Sequence, residues 1–524
     1  MGLALVVSNQ QEEPYAQVRD HLEGRVIGLL DSREAQMKTF AEVEELLLAE
    51  MLELGRKAME EYVRRRGPGR VAGGVTGADG VLRQEPRMHD RDVETTFGTV
   101  LVERMGYGAE GVESMHPKDA ALNLPRDLYS HFVRRRVAEE AARGAFDEVV
   151  SAVERGSAAR IAKRQVEELV VRAALDFDTF YKERQRPTGE GSSDPAKILV
   201  LTTDGKGIVM RHKDLRKATR KAAEKRTQKP DSPHSKGEKR NAKRMSTVAA
   251  VYEIAPYERT AEEILSPKGA LRELLDARRP RPEAKRVWAS VAKKPKRVIQ
   301  EMFAEALRRD PERRMRWIAL VDGAKPQLKQ LRECAKTNGV ALEIILDIYH
   351  VTEYVWKAGS AFFAQDAPER EIWVRDQILE VLHGNGRHAA ALMRRKATLG
   401  GLTARRRKPV DKCAGYLTAY VDYQHYDRYL GAGMPIGTGV IEGACRHLVK
   451  DRMDLTGARW SLKGAEAVLR LRALRSSGDL DAYWPFHEAC EHKRNHASQY
   501  AGGKAPQFQD EPRPSPPPPL RLLE

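Results

Sequence analysis

The sequence predicts an α/β fold: a mixed sheet flanked by helices, with a mainly helical N-terminal region before it and an all-helical insertion within it. Three observations carry this expectation. KILVLTTDGKGIVMR and RMRWIALVDGAK each hold an apolar, β-prone run that ends in an Asp-Gly pair, at Asp204 and Asp322. A strand apolar along its length is buried on both sides of a sheet, and an acid at its end projects from the rim. Around these runs, helix-length segments with apolar residues three to four apart alternate with further short strands.

Residues 1–66 are rich in Glu, Leu, Ala and Arg and predict long helices, with AEVEELLLAEMLELGRKAMEEYVRRR the clearest and a helix-helix or dimer contact its plainest use. Residues 67–125 open on Gly-rich GPGRVAGGVTGADG, which breaks the chain. TTFGTVLVERMGYG then alternates at Phe97, Val100 and Val102 as a strand hairpin does. Residues 126–187 predict three short helices with turns at Gly144 and Gly156. Either a helix-turn-helix or an ordinary packing module fits, and the basic start of the last helix, at Arg160, Lys163 and Arg164, favours DNA contact. A fragment ending near residue 188 has its own apolar helices and is expected to fold alone.

TGEGSSDP, residues 188–195, reads as a linker into the first part of a catalytic region, residues 188–362. A basic insertion at 211–244 carries 14 Lys or Arg against 4 Asp or Glu, the composition of a solvated, disordered segment, with phosphate contact a second use so near Asp204. STVAAVYEI resumes a strand, RVIQEMFAEALRR a helix, residues 326–337 another helix and VALEIILD a strand. Residues 363–434 form the helical insertion. Its ARRRK cluster, with Arg405 and Arg406, is either a DNA-backbone contact or a solvated surface patch. Residues 435–490 form the second part of the catalytic region, and 491–524 a disordered tail.

Composition bounds the function. A chain of 524 residues holds several domains, and its net charge of +16 points to a polyanionic partner, nucleic acid before others. No apolar run reaches the ~18 residues of a membrane span, and the N-terminus lacks the pattern of a signal peptide. The four cysteines, Cys334, Cys413, Cys445 and Cys490, form no CxxC pair, which predicts a reduced cytoplasmic protein without a zinc finger and a hairpin without metal.

GTGVIEGACRHLVKDRMDLTGARWS adds a third acid. Ile441, Ala444, Cys445 and Leu448 make an apolar helical stripe, and Glu442, Arg446 and Lys450 share the neighbouring face. An ion-pair ladder on a surface helix is the ordinary reading of such a face. With two upstream aspartates at strand ends, a divalent-metal nuclease site is the sharper one. LDIYH sets Asp347 and His350 three apart at a strand-to-helix corner, where the acid caps the helix and orients the imidazole.

TTDGKGIVMR, SKGEKRNAKRMSTVAAVYEI, WIALVDGA, LDIYHVTEYVWKA and GVIEGACRHLVKDRMDLTGARW together resemble the DDE transposases of bacterial insertion sequences. The similarity is greatest to the ISKra group, itself similar to the Mutator-like superfamily, and spans roughly residues 197–484. The resemblance implies an RNase H-like core, DNA cleavage with strand transfer, binding of terminal repeats in double-stranded DNA, a homo-oligomer and a nucleoid-associated location. It implies that Asp204, Asp322 and Glu442 hold two Mg²⁺ ions, for which Mn²⁺ substitutes. Asp204 would bridge both ions, with Arg446 and Lys450 on phosphates. Asp347 and His350 match the Asp/Cys-His signature of those families, and Asp347 is the alternative to Asp322 as second ligand. Related transposases often carry a zinc ribbon in the hairpin region, where this chain has no cysteines. A nuclease or resolvase without strand transfer, and a non-catalytic DNA-binding protein derived from a transposase, are the alternative functions.

Overall fold

The structure, a computed structural model, describes residues 14–184, 194–224, 242–267, 269–455 and 457–507. They divide into two units, residues 1–180 with 481–524 and residues 181–480. No helix among the described residues is long and apolar enough to cross a membrane.

In the first unit, helix α1 (Phe40–Arg65) starts where the Thr39 hydroxyl accepts the Glu42 amide and the Glu42 carboxylate accepts the Thr39 amide. A hairpin of β1 (Glu85–Thr95) and β2 (Gly98–Ala109) turns at Thr96-Phe97, and β3 (Val112–Met115) pairs with β2. Phe97 at the turn sits on α1 at Gly55, where an added Cβ would come within 2.5 Å of the ring. Helices α2 (His131–Ala141), α3 (Phe146–Arg155) and α4 (Lys163–Ala173) pack on one another through buried Val133, Val137, Val149, Val153, Val166 and Leu169. The basic start of α4 falls at Lys163 rather than Arg160, whose amide is held by Glu94 Oε1 at 2.7 Å outside the helix.

Residues 491–507 are ordered structure, not the disordered tail expected from 491 onward. The helix α5 (Leu480–Asn495) crosses the boundary expected at residue 490, and its residues from Asp481 onward belong to the first unit. There Glu491 pairs with buried Arg134, and His487 and Arg494 bind Asp176 at 2.7 and 3.0 Å. Tyr500, also buried, bridges to Gly77. The first third therefore does not carry its own complete core, because charges buried in it find their partners near the C-terminus. The Pro-rich stretch 508–524 lies outside the described residues, as do residues 185–193, which include 188–193 of the predicted linker.

The second unit is a mixed α/β structure. Its sheet has the order β8-β7-β4-β5-β6, formed by β4 (Ile198–Val209), β5 (Lys243–Ile254), β6 (Glu283–Ser290), β7 (Arg316–Val321) and β8 (Leu342–Leu346). The first three are antiparallel in succession, while β7 and β8 run parallel to β4. Residues 198–203 are all buried, as a strand covered on both faces requires. The predicted basic insertion is shorter than expected: Lys243 and Arg244 already belong to β5, a helix spans Lys217–Glu224, and 225–241 lie outside the described residues.

Helix α6 (Pro295–Arg309) packs on β5, and α7 (Lys325–Thr337) joins β7 to β8. After α8 (Ile348–Gly359), the segment expected to be a helical insertion forms α9 (Pro368–Leu382), α10 (Gly386–Leu399), α11 (Ala404–Ala419) and a short helix at Tyr426–Gly431. These share one apolar core with the sheet, in which Val200, Leu320 and Ile345 meet Val355, Ile378, Met393 and Leu417. Burying that face is what fixes the insertion against the strands.

Candidate active site at the ends of the parallel strands

Register alone brings the predicted acids to one level. Thr202 of β4 pairs with Leu320 of β7, and Leu320 pairs with Ile345 of β8. Two residues further along each chain stand Asp204, Asp322 and Asp347. With a side-chain period of two, these matching positions repeat the facing of the paired residues. Asp322 and Asp347 immediately follow their strands, and the Asp347 amide extends the ladder by donating to the Val321 carbonyl at 2.8 Å. Asp204 differs from the expectation. It lies within β4, which continues through Gly205 to Val209 beside β5 after its pairing with β7 has ended. Asp-Gly is a turn at Asp322, where Gly323 has φ of 89° and an added Cβ would meet Leu346 at 3.1 Å. At Asp204 the same dipeptide remains extended strand.

The three aspartates have different surroundings. Asp347 has no solvent exposure, and its carboxylate accepts from the Tyr349 amide at 3.1 Å, the Thr438 amide at 3.2 Å, the Thr438 hydroxyl at 2.6 Å and His350 Nδ1 at 3.3 Å. Asp322 is half-buried; its Oδ1 accepts the Ala324 amide at 3.0 Å, and its carbonyl accepts the Tyr416 hydroxyl at 2.8 Å. Asp204, also half-buried, accepts the Gly205 amide at 2.6 Å on Oδ1 and the Cys445 thiol at 3.3 Å on Oδ2.

Glu442 comes from α12 (Gly439–Ala444), which continues without a break into a wider π-helical turn at Cys445–Lys450. The apolar stripe is as predicted: Ile441, Ala444, Cys445 and Leu448 are buried, while Glu442, Arg446 and Lys450 are exposed. Arg446 lies 3.8 Å from Asp451 rather than completing an ion pair with Glu442. Partial burial, then the negative field of Asp347, with further contributions from Glu353 and Asp204, pushes the Glu442 carboxyl up against the opposing effect of His350. The hydrogen bond that His350 donates to Asp347 raises the imidazole above its ordinary value; burial opposes this, and the fields of Asp347, Asp322 and Glu353 add to it. Burial first and then the charge of Asp322 raise both the Tyr416 and Tyr420 hydroxyls.

Among the described residues, no three His, Cys, Asp or Glu side chains stand close enough to hold a metal ion. The expected convergence of Asp204, Asp322 and Glu442 is therefore absent from this arrangement. Like charges repel, and Asp204 and Asp322 are each held by local donors. The donor set itself, three carboxylates, has the hard oxygen chemistry that suits a divalent cation such as Mg²⁺. Asp347, the alternative second ligand, already accepts from four donors, and its charge is the one that acts most strongly on Glu442.

The remaining predicted cations have local surroundings of their own. Lys163 pairs with Asp147 at 2.6 Å, and Arg164 is exposed. Arg405 is exposed in the first turn of α11, and Arg406 donates to the Ala361 carbonyl at 3.2 Å. Sequence reasoning missed Thr438, Cys445 and Tyr416. Thr438 occupies the N-cap of α12, where a Thr usually accepts an amide, yet its hydroxyl is spent on Asp347. No protein-family model matches the chain, and no curated protein is significantly similar to it.

Proposed function

We propose that the second unit is a metal-dependent phosphodiester-cleaving enzyme with an RNase H-like core. More particularly, we propose that the chain is a DDE transposase of an insertion sequence, acting on double-stranded DNA as a nucleoid-associated homo-oligomer. The observation that carries the reading is the matched register of Asp204 and Asp322 on adjacent parallel strands, with Glu442 on the helical segment whose Cys445 thiol donates to Asp204. Three antiparallel strands followed by two parallel ones, in the order β8-β7-β4-β5-β6, support it, as does the net charge of +16.

Asp204, Asp322 and Glu442 would be the residues that hold two Mg²⁺ (or Mn²⁺) ions, with Asp204 shared between them. The bound ions supply activation of the attacking water and stabilisation of charge on the departing 3′ oxygen. Asp347 holds the segment that leads into α12 and orients His350 beside the site. Arg446 and Lys450, exposed on the Glu442 side of their helix, meet backbone phosphates. Lys163, Arg164, Arg405 and Arg406 supply further DNA contacts.

The test is incubation of the full chain with labelled precut element ends, a target plasmid and Mg²⁺. Joined products identify a transposase; cutting of intact ends without joining identifies a nuclease or resolvase. Binding without either reaction leaves a DNA-binding protein.

A further inference from the structure

We infer that Cys445 is a positioning residue for the proposed reaction, fixing the carboxylate of Asp204 and setting its spacing from Glu442. This deepens the functional reading above and rests on it. Asp204 projects from a strand and Glu442 from a helix more than 200 residues later in the chain, so something must tie the two elements together. Cys445 bridges them: its thiol donates to Asp204 Oδ2 at 3.3 Å, while Oδ1 takes the Gly205 amide at 2.6 Å. Both oxygens of Asp204 are then directed, and its orientation is defined before any cation arrives.

Position on the helix divides the work. Cys445 and Glu442 stand three apart and so lie one turn from each other, but Cys445 is buried and Glu442 exposed. One anchors the helix to β4 and the other remains free to turn toward a ligand. The wider π-helical turn begins at Cys445 itself, a local widening of the kind often found at functional sites. The chemistry of the donor matters too. A Lys or Arg at this position would form an ion pair and cancel the charge that a divalent ion needs. A thiol is a weak neutral donor, which orients the carboxylate and leaves its charge intact.

The experiment compares full-length wild type with Cys445→Ala, Cys445→Val and Cys445→Ser, measuring DNA-end binding, cleavage rate against Mg²⁺ concentration, and thermal melting. Alanine and valine remove the donor, valine with little change in volume; serine keeps a donor. The expected result is end binding as in wild type for all, with cleavage rate or apparent Mg²⁺ affinity reduced about 10- to 100-fold in Cys445→Ala and Cys445→Val, the usual size of effect for a group that orients a metal ligand. Cys445→Ser should recover most of the loss. Wild-type rate and Mg²⁺ dependence in Cys445→Val overturn the inference while leaving the functional reading in place. Equal impairment of Cys445→Ser and Cys445→Val, tracking a common fall in melting temperature, also overturns it, since packing alone would then account for the cysteine. A wild-type chain that binds ends and cuts nothing at any Mg²⁺ concentration refutes the functional reading, and the inference with it.

Discussion

The hydroxyl of Thr438 donates to Oδ2 of Asp347 at 2.6 Å, joining residues 91 apart in sequence that stand before and after the helical insertion. Beside this bond the Ile348 amide donates to the Ile436 carbonyl at 3.0 Å, and Gly437 lies so close to Tyr349 that an added Cβ would come within 2.7 Å of the ring. The segment leading to Glu442 is thereby docked on the end of β8.

Removing that hydroxyl should loosen the dock. Thr438→Val is expected to destabilise the chain by about 1.5–3 kcal/mol, the range for a hydrogen bond to a charged group. Thr438→Ser should restore most of it. Urea denaturation of the two variants checks the pair.

Asp347 and Asp322 should respond in opposite ways. Asp347→Ala leaves buried donors without an acceptor and removes a helix cap, so about 3 kcal/mol or more of stability should be lost. Asp322→Asn, at a half-buried position with one amide partner, should change stability by only about 0.5 kcal/mol and abolish DNA cleavage. Denaturation and cleavage assays on both variants distinguish a positioning acid from a metal ligand.

His350 gives the site a pH signature. Its pKa in the folded chain is raised by Asp347, so the stability it contributes is fully present below the ordinary value near 6.5 and is lost as pH rises through the folded value. An NMR titration of the imidazole should show a midpoint above the ordinary one, falling back toward it in Asp347→Asn. No such fall would mean that the hydrogen bond is not the cause.

The N-terminal third should not fold well alone. A fragment ending near residue 188 loses His487 and Arg494 from the buried carboxylate of Asp176, and leaving a buried charge unpaired costs about 3–5 kcal/mol. Joining residues 481–507 to that fragment should restore a cooperative melting transition. Equal melting of both fragments would show that the C-terminal segment is dispensable.

How much of this was legible depended on distance along the chain. The runs at 198–203 and 316–321 announce buried strands because local composition and burial agree. Asp204 was misplaced at a strand end because Asp-Gly favours turns, and only pairing with Val248 and Thr247 of β5 keeps it extended. Cys445 read as one more apolar residue of a helical stripe, which it also is; its bond to Asp204 spans 241 residues. Thr438 gave no local signal for the same reason, since its bond to Asp347 spans 91 residues. The ordered C-terminal segment was missed because its charges look solvated until Asp176 and Arg134 are placed beside them.

The central claim is that Asp204, Asp322 and Glu442 together hold the cations that cleave DNA. Its most direct test is cleavage of labelled duplex element ends by purified wild type and by Asp204→Asn, with binding followed on the same samples by mobility shift across a salt series. The account predicts that wild type cuts only with Mg²⁺ or Mn²⁺. It predicts that Asp204→Asn binds the same ends with the same steep salt dependence and cuts nothing detectable. Cleavage by Asp204→Asn at the wild-type rate, or loss of end binding in a folded Asp204→Asn chain, would contradict it.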